Sequence, residues 1–340
     1  MAKDLLKEFV ELCVDIGSLP DYVQGGGGNT SVKLDDTRMA VKASGYQIKQ
    51  ITENDGYVIV DYKSIADYHK TVDTSRDVDL EKEASAFVKA HVLETEGLKP
   101  LRPSVEAGFH SILKTFVTHT HPVYANILTC CTEGLALAEE ILKDKPYAFI
   151  WLPYINPGFE LTLAMHREIE KCISEKGKFP QVIFMQNHGL VTTSDCPKEC
   201  NEIHKDVNNT IRNYFGITEP YPELKLEKQG ENMYFSVSPF LLDFFQNHTA
   251  EVFDELTLYP DQLVYLNSSN KEGKIALEPD KIVFKTTESE AFTILETMMG
   301  YVYVVKNILA AGKQVQTMGQ AGIDFINNWE SEKYRKSLAK

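Results

Sequence analysis

The spacing of apolar residues along the chain predicts which segments form helices and which form strands. Over residues 3–17, Leu5, Phe9, Leu12 and Ile16 fall on one stripe at helical spacing, which is typical of an amphipathic helix. Shorter apolar runs between glycine, proline and polar residues predict strands. Further helices are expected over 79–93, 104–114, 122–129, 133–142, 160–176, 197–213, 287–311 and 318–335. Strands are expected near 31–34, 38–43, 57–61, 117–121, 147–152, 181–186, 263–266, 275–277 and 281–285.

The order of these elements predicts the fold class. Strands and helices alternate over residues 104–213, and this order favours a three-layer α/β/α domain around a central sheet. The chain has 340 residues, enough for two hydrophobic cores, and Pro220-Tyr221-Pro222 interrupts it. We therefore expect an α/β domain over residues 1–220 and a smaller α+β domain over residues 221–340.

Charge and composition argue against several functional classes. The chain has 35 basic and 49 acidic residues and a formal net charge of -14, which argues against binding to nucleic acid or to anionic membrane surfaces. A small phosphorylated ligand stays open, because local basic groups and backbone amides decide its binding. The sequence contains no run of 18 uncharged apolar residues and no signal-peptide pattern, so no membrane span is expected. Six thinly spread cysteines are expected to be free thiols of a cytoplasmic protein.

Two histidines separated by one residue, His119 and His121, lie in a predicted strand. Side chains alternate between the two faces of a strand, so both imidazoles point the same way and can reach one metal ion. Glu106 and His188, which follows an apolar run, are two further candidate ligands. Three imidazoles and a carboxylate are typical of a catalytic metal site, for which zinc fits best and manganese, cobalt and iron are alternatives. Taken alone, each of these short patterns is more often structural.

A glycine-rich segment, residues 25–28, lies between the first helix and the first strand. Successive backbone amides in such a turn can form a nest that binds an anion. The segment is neither a P-loop nor a dinucleotide fingerprint, because no Gly-Lys-Ser/Thr follows and the helix comes before the loop. Ser44 and Gly45 in a second small-residue turn, and Ser104 at a predicted helix start, are further candidates for anion binding. The alternatives are a flexible turn without a ligand and, for Lys42, a solvated strand residue.

Six short motifs occur in the order found in the class II aldolase/adducin family, and the chain resembles that family over about residues 5–215. Fuculose-1-phosphate and rhamnulose-1-phosphate aldolases are typical members. The motifs are Gly28-Asn29-Thr30-Ser31, Lys42-Ala43-Ser44-Gly45, Pro103-Ser104-Val105-Glu106 with His110, His119-Thr120-His121-Pro122, Pro153-Tyr154 with Pro157-Gly158, and Asn187-His188-Gly189-Leu190.

The resemblance implies a role for each residue that matches a family motif. It implies that His119, His121 and His188 hold the metal ion. It implies that Glu106 contacts the metal or acts as a general base. Tyr154 matches a tyrosine that reaches the site of a neighbouring subunit as a proton donor, since family members are commonly homo-oligomers and often tetramers. The residues that match phosphate-binding positions are Gly28, Asn29, Ser44, Gly45 and Ser104.

Two features depart from the small aldolases of the family. Val105 stands where these enzymes often carry a second serine, so the implied phosphate site lacks one hydroxyl. The segment 62–100 and the part after residue 220 have no counterpart in the small aldolases. Both resemble the larger aldolase-like domain of bifunctional rhamnulose-phosphate enzymes, without the dehydrogenase part. The identity of the sugar therefore stays open.

The implied activity is metal-dependent retro-aldol cleavage of a ketose phosphate in carbohydrate metabolism. A sugar-phosphate 4-epimerase has the same fold and histidines, but family epimerases favour Asp at the position of Glu106. Dehydratases and decarboxylases of the family also carry Glu, so they remain alternatives, as does a non-catalytic, adducin-like interaction module. In the C-terminal part, His248 and Asp261 are either substrate contacts or solvated surface residues, and we expect the second. This part either covers the active site or supports an oligomer.

Overall fold

The structure is a computed structural model that describes residues 2–329, within which it has thirteen α-helices and eleven strands. A 3-10 helix covers Ile48–Gln50 and a π-helix covers Gln262–Asn267. The α-helices are α1 (Ala2–Gly17), α2 (Tyr62–Thr71), α3 (Leu80–Ala90), α4 (Ala107–Ile112), α5 (Val123–Thr129), α6 (Gly134–Leu142), α7 (Phe159–Lys176), α8 (Pro197–Tyr214), α9 (Pro239–Phe245), α10 (Val252–Glu255), α11 (Ser268–Lys271), α12 (Glu288–Ala310) and α13 (Gln320–Asn328). The strands are β1 (Asn29–Lys33), β2 (Arg38–Lys42), β3 (Tyr57–Asp61), β4 (Phe116–Thr120), β5 (Phe149–Leu152), β6 (Val182–Met185), β7 (Gly189–Ser194), β8 (Glu227–Gly230), β9 (Met233–Ser236), β10 (Ile275–Leu277) and β11 (Ile282–Phe284).

Seven strands form one large sheet in the order β3-β2-β1-β4-β7-β6-β5. Only β5 and β6 pair in parallel, and the other neighbours are antiparallel. Helices α1, α5 and α8 pack against one face of this sheet, and α2, α4 and α7 pack against the other. The predicted three-layer α/β/α fold is therefore confirmed.

The central strand β4 is covered on both faces, and all five of its residues are buried. Phe116 belongs to the apolar cluster on the α8 face, and Val117 belongs to the cluster on the α7 face. This alternation follows from the two-residue period of a strand. It also carries His119, two residues after Val117, into a fully buried position on the same side of the sheet.

The C-terminal part contains a second, four-stranded antiparallel sheet in the order β10-β11-β9-β8. Its longest helix, α12, is buried along most of its length and packs against α5, α9 and the π-helix. The rings of Tyr124 in α5 and Tyr303 in α12 meet edge to face, with centroids 5.9 Å apart. One apolar cluster thus contains residues of both parts, and the division at residue 220 stays a prediction.

The structure differs from the sequence-based expectation in a few elements. The strand predicted near 263–266 is wrong, because these residues lie in the π-helix, buried on all sides, where apolar residues show no strand-like or helix-like alternation. Strand β7, which the sequence did not predict, is also buried at all six positions. The helix predicted over 318–335 is α13, which ends at Asn328, and residues 330–335 lie outside the described residues.

Two further expectations concern covalent chemistry and membranes. All six cysteines are free thiols, as predicted, and five of them are buried. None of the helices within residues 2–329 combines the length and the apolar character needed to cross a lipid bilayer.

Candidate active site

The three histidines predicted to bind metal meet at one end of the central strands of the large sheet. At that end Asn29, the first residue of β1, pairs with His119 near the end of β4. His121 directly follows β4, and His188 lies in the turn that joins β6 to β7. Because β7 pairs antiparallel with β4, the start of β7 lies beside the end of β4. The strand pairing therefore brings three separate parts of the sequence to one place.

The three imidazoles converge on a common point. One ligand atom from each of His119, His121 and His188 lies within 4.8 Å of those of the other two. The Nε2 atoms of His119 and His121 are 3.2 Å apart. The exposed fractions of the three residues are 0%, 4% and 4%. Such close, buried imidazole nitrogens could hold a divalent metal ion.

The partners of the other ring nitrogens fit a metal site as well. His119 Nδ1 donates to the backbone carbonyl of Leu190 at 3.0 Å, so its Nε2 carries the lone pair. His121 Nδ1 lies 2.5 Å from the carboxylate of Asp261, which fixes the same tautomer. The lone pairs of His119 Nε2 and His121 Nε2 therefore face each other across 3.2 Å. They repel unless a cation lies between them. Burial, together with His121 and His188, holds the pKa of His119 well below its usual range and keeps it in the neutral, ligating form.

Glu106 lies directly beside the histidines. Its Oε2 atom is 3.6 Å from His119 Nε2, and its Oε1 atom is 3.4 Å from His188 Nε2. The residue sits at the N-terminal end of α4, and only 6% of it is exposed. Asn29 Nδ2 donates to Oε2 at 2.5 Å. The carboxylate is therefore held in one orientation next to the imidazole nitrogens.

A chain of hydrogen bonds orients Asn29. Ser31 Oγ donates to His110 Nδ1 at 2.7 Å, and His110 Nε2 donates to the side-chain oxygen of Asn29. This leaves the amide nitrogen of Asn29 to donate to Glu106 and, at 3.1 Å, to Ser104 Oγ. Burial lowers the pKa of His110 to about 3, so the ring stays neutral and keeps one donor and one acceptor. The sequence assigned His110 to a motif without a role, and the structure gives it this positioning role.

A cavity adjoins the histidines, and the predicted anion-binding residues form part of its wall. Gly28 has a φ of +71°, and a Cβ there would lie 2.5 Å from the backbone oxygen of His119, so only glycine fits. Lys42 is 3% exposed, which excludes a solvated position, and its ammonium donates to the backbone oxygen of Tyr46 at 2.6 Å. The residues of this wall that the sequence singled out are Gly28, Asn29, Lys42, Ser44, Gly45, Ser104, Glu106, His121, His188 and Asp261.

A second cavity shares Ser44, Ser104 and Val105 with the first. Its other wall comes from α2 and α3, which belong to the segment 62–100. Glu81 in α3 lines it and accepts a hydrogen bond from the backbone nitrogen of Phe159 at 2.7 Å. Burial raises the pKa of the Glu81 carboxyl to about 7. Ser44, Ser104 and Val105 therefore separate this cavity from the one beside the histidines.

Tyr154 is not among the residues that line either of these cavities. It is half-buried and packs against the C-terminal part, where a Cβ on Gly322 would lie 2.5 Å from its ring. The described chain therefore brings Tyr154 to α13 and not to its own histidines. Its predicted role in the site of a neighbouring subunit stays a prediction.

The C-terminal residues singled out by sequence have different surroundings. The expectation that Asp261 is a solvated surface residue is wrong, because it is 2% exposed and contacts His121. His248 is half-buried and stacks on Phe244 with ring centroids 4.1 Å apart. The signal that could have identified Asp261 is its position as the one charged residue of the mostly apolar segment 258–266, where a charge needs a partner.

Residues 7–214 match the family model described as "Class II Aldolase and Adducin N-terminal domain". A class II aldolase domain from Thermoplasma acidophilum is 27% identical, with a TM-score of 0.50, and the alignment covers 62% of this chain and 92% of that one. No curated protein gives a significant match.

Two further solved structures are more distant. YgbL from Klebsiella pneumoniae, provisionally an aldolase, epimerase or decarboxylase, is 16% identical with a TM-score of 0.43, and 64% of this chain and 92% of that one align. An L-fuculose-1-phosphate aldolase from Thermus thermophilus is 14% identical with a TM-score of 0.38, and 65% of this chain and 100% of that one align. At these scores the two structures add no argument about activity.

Proposed function

The chain belongs to the class II aldolase and adducin family, and from this premise we propose that it is a metal-dependent aldolase that cleaves a phosphorylated ketose. The observation that carries the proposal is the meeting of three imidazole nitrogens and the Glu106 carboxylate beside one buried cavity. Zinc is the proposed ion, because imidazole and carboxylate ligands suit it best, and manganese, cobalt and iron are alternatives.

His119, His121 and His188 would hold the ion through one ring nitrogen each. When bound, the ion supplies Lewis-acid stabilisation of the negative charge that develops on the substrate oxygen. The side chains around it are almost fully buried. Charges interact more strongly where water is excluded, so this enclosure favours the developing negative charge.

We assign the proton transfer to Glu106. Its carboxylate takes the proton from the substrate hydroxyl next to the carbon–carbon bond that breaks, and the aldehyde product forms there. The bonding electrons stay on the other fragment, and the Glu106 carboxyl returns the proton to the carbon of that fragment. Asn29 supports this role, because its hydrogen bond orients the carboxylate before the substrate binds.

The proposal of a phosphorylated substrate is supported by other residues in the wall of the cavity that Glu106 lines. Lys42 brings a buried ammonium to this wall, and Ser44 and Ser104 add two hydroxyls. Gly28 and Gly45, both with positive φ, add backbone that a ligand can approach closely. Charge-assisted and backbone hydrogen bonds of these kinds are the usual means of holding a phosphate.

The proposal extends to assembly. The motif that contains Tyr154 resembles one whose tyrosine serves a neighbouring subunit, so we propose a homo-oligomer, with a tetramer as the expected form. Sedimentation velocity measures this directly. A wholly monomeric protein at the concentration of an activity assay, with full turnover, would contradict the assembly but leave the metal site as proposed.

A panel of ketose phosphates tests the reaction. The metal-loaded protein is incubated with each sugar, and release of dihydroxyacetone phosphate is followed by a coupled assay. We expect release from at least one member, and no cleavage of its non-phosphorylated form when the aldehyde product is measured. If a sugar phosphate is instead epimerised, dehydrated or decarboxylated without release of a triose phosphate, the aldolase proposal fails and the corresponding alternative replaces it. Absence of activity on every member of the panel would also contradict the aldolase proposal.

A further inference from the structure

The C-terminal part reaches the candidate active site through residues that lie beyond the family match, which ends at residue 214. Asp261 is the residue before the π-helix Gln262–Asn267 and is 2% exposed. It lies in the wall of the same cavity as His121 and His188. A buried carboxylate requires a hydrogen-bond partner that compensates for its lost hydration.

The partner of Asp261 is His121. Its Oδ2 atom lies 2.5 Å from His121 Nδ1, and the exposed fractions of the His121 and Asp261 side chains are 4% and 2%. An ionised carboxylate only accepts hydrogen bonds, so Nδ1 is the nitrogen that donates. The Nε2 atom of His121 then carries the lone pair and faces His119 Nε2. The contact therefore sets both the tautomer and the rotation of a metal-binding ring.

The glycine-rich loop closes over this pair. A Cβ on Gly27 would lie 2.2 Å from Asp261 Oδ2 and 2.9 Å from His121 Nδ1, so a larger residue would push the two apart. The loop is itself held from the C-terminal part, because Gly25 N donates to the Glu296 carboxylate in α12 at 3.0 Å. The position of the His121–Asp261 pair therefore depends on the backbone of the glycine-rich loop and on carboxylates of the C-terminal part.

The turn that carries His188 is held in the same way. Asn187 has a φ of +52°, a conformation that asparagine adopts more readily than most residues. Its side-chain amide donates to the backbone oxygens of Leu258 and Gln316, each at 2.8 Å. Both acceptors belong to the C-terminal part. The glycine-rich loop and the turn between β6 and β7, which both contribute residues to the candidate site, thus contact residues after position 250.

Asp261 is placed to support a ligand and not to be one. Its oxygen faces the ring nitrogen of His121 that points away from His119. Carboxylates in this position keep a metal-binding imidazole oriented and more basic. Asp261 is also distinct from Glu106, whose oxygens face the Nε2 atoms of His119 and His188.

We propose that Asp261 is a positioning residue for His121, so that the C-terminal part is an integral component of the metal site. This inference rests on the proposed metal-dependent function. It assigns a role to the C-terminal part that neither the family match nor the strand pattern contains. The role is to hold a metal-binding ring in register with the other two.

Zinc affinity of the full chain tests the proposal without any substrate. The apo-protein competes with a chromophoric chelator for Zn²⁺, and the dissociation constant is compared with those of Asp261→Ala and Asp261→Asn. We expect Asp261→Ala to bind zinc about 10–100-fold more weakly, the usual effect of losing such a partner. Asp261→Asn keeps an acceptor but loses the charge, so an intermediate value is expected. Asp280→Asn, at an exposed position of the same part, is the matched control.

The melting temperature of each apo-protein separates positioning from general stability. The proposal requires weaker zinc binding by Asp261→Asn with an apo melting temperature within a few degrees of the wild type. Should Asp261→Ala fail to fold, Asp261→Asn carries the test alone. Wild-type affinity in the folded Asn variant overturns the inference and leaves the metal-dependent function standing. A wild-type protein that takes up no zinc and no manganese overturns both.

Discussion

The N-terminal region, residues 2–214, and the C-terminal region, residues 222–329, contribute to the candidate site in different ways. The first supplies the candidate metal-binding atoms of the imidazoles and the Glu106 carboxylate beside them. The second supplies contacts behind them, from Asp261 to His121 and from Glu296 to Gly25. The family match covers only the first region. Residues outside the family match therefore also contribute contacts to the candidate site.

In one respect the two regions are alike, because each contains a glutamate carboxylate that accepts a hydrogen bond from a backbone nitrogen. Glu81 in α3 accepts a hydrogen bond from Phe159 N, and Glu296 in α12 accepts one from Gly25 N. Burial raises the pKa of both carboxyls. In each case a helix of one segment fixes a glycine-containing turn of another. The difference lies in the turn, because the one held by Glu296 leads directly into Gly27, which lies against His121 and Asp261.

Removing one imidazole from the N-terminal region should have the largest effect on the candidate site. We expect His121→Ala to lose bound metal and activity together, because two imidazoles cannot replace three. Elemental analysis of the purified protein and the triose-release assay measure the two effects. His166→Ala, on the outer side of α7 beside Glu170, is the control and should keep both. Full metal content with full turnover in His121→Ala would exclude the site.

Glu106→Gln separates metal binding from proton transfer within the N-terminal region. The amide cannot accept the substrate proton, so turnover should fall by roughly 10²–10⁴-fold, the usual contribution of a general acid–base group. Metal content should change far less than in His121→Ala. Glu139→Gln at an exposed position of α6 is the matched control. Turnover within a factor of three of the wild type would remove Glu106 from the mechanism.

Glu81→Gln tests whether the Glu81 carboxyl beside the second cavity makes the stability of the protein depend on pH. The folded pKa of about 7 lies above the ordinary value of 4.5. The wild type should therefore lose stability relative to Glu81→Gln as pH rises from about 4.5 to 7, by at most about 3 kcal/mol. Urea unfolding at pH 5 and pH 8 measures the difference. Parallel stability curves for the two proteins would show that Glu81 has no raised pKa.

Tyr301→Phe probes the C-terminal region away from the site and should have the smallest effect. The buried hydroxyl of Tyr301 donates to the backbone oxygen of Val252 at 2.9 Å. Its loss should lower the free energy of unfolding by about 1 kcal/mol. Zinc affinity should be unchanged, in contrast to the Asp261 variants. If Tyr301→Phe weakened zinc binding as much as Asp261→Ala, the C-terminal region would act by general stability and not by positioning.

Most of the N-terminal region could be predicted from the sequence, because its signals are local. The alternation of side chains along a strand suffices to place His119 and His121 together, and helix α1 follows from its apolar stripe. The chemical types of Glu106 and His188 made them candidates before their distances were known. The strand pairing that brings them to His119 is a long-range property, which spacing alone does not give.

The errors fall where local signals are weak. Strand β7 and the π-helix are buried at every position, so neither shows an alternation of apolar and polar residues. Asp261 looked like an exposed carboxylate, because a single sequence does not reveal that its partner is His121, 140 positions earlier. The solvated alternative for Lys42 failed for a similar reason, since its buried partner is the backbone of a turn.

The hydrogen bond between Gly25 and Glu296 joins residues 271 positions apart, and the bond between His121 and Asp261 spans 140. Closing loops of this length is slow, because chain entropy opposes it until many other contacts have formed. A chain still emerging from the ribosome can therefore pair its first strands before the contacts from Asp261 and Glu296 exist. The contacts that support His121 and the glycine-rich loop are thus among the last of the candidate site to form.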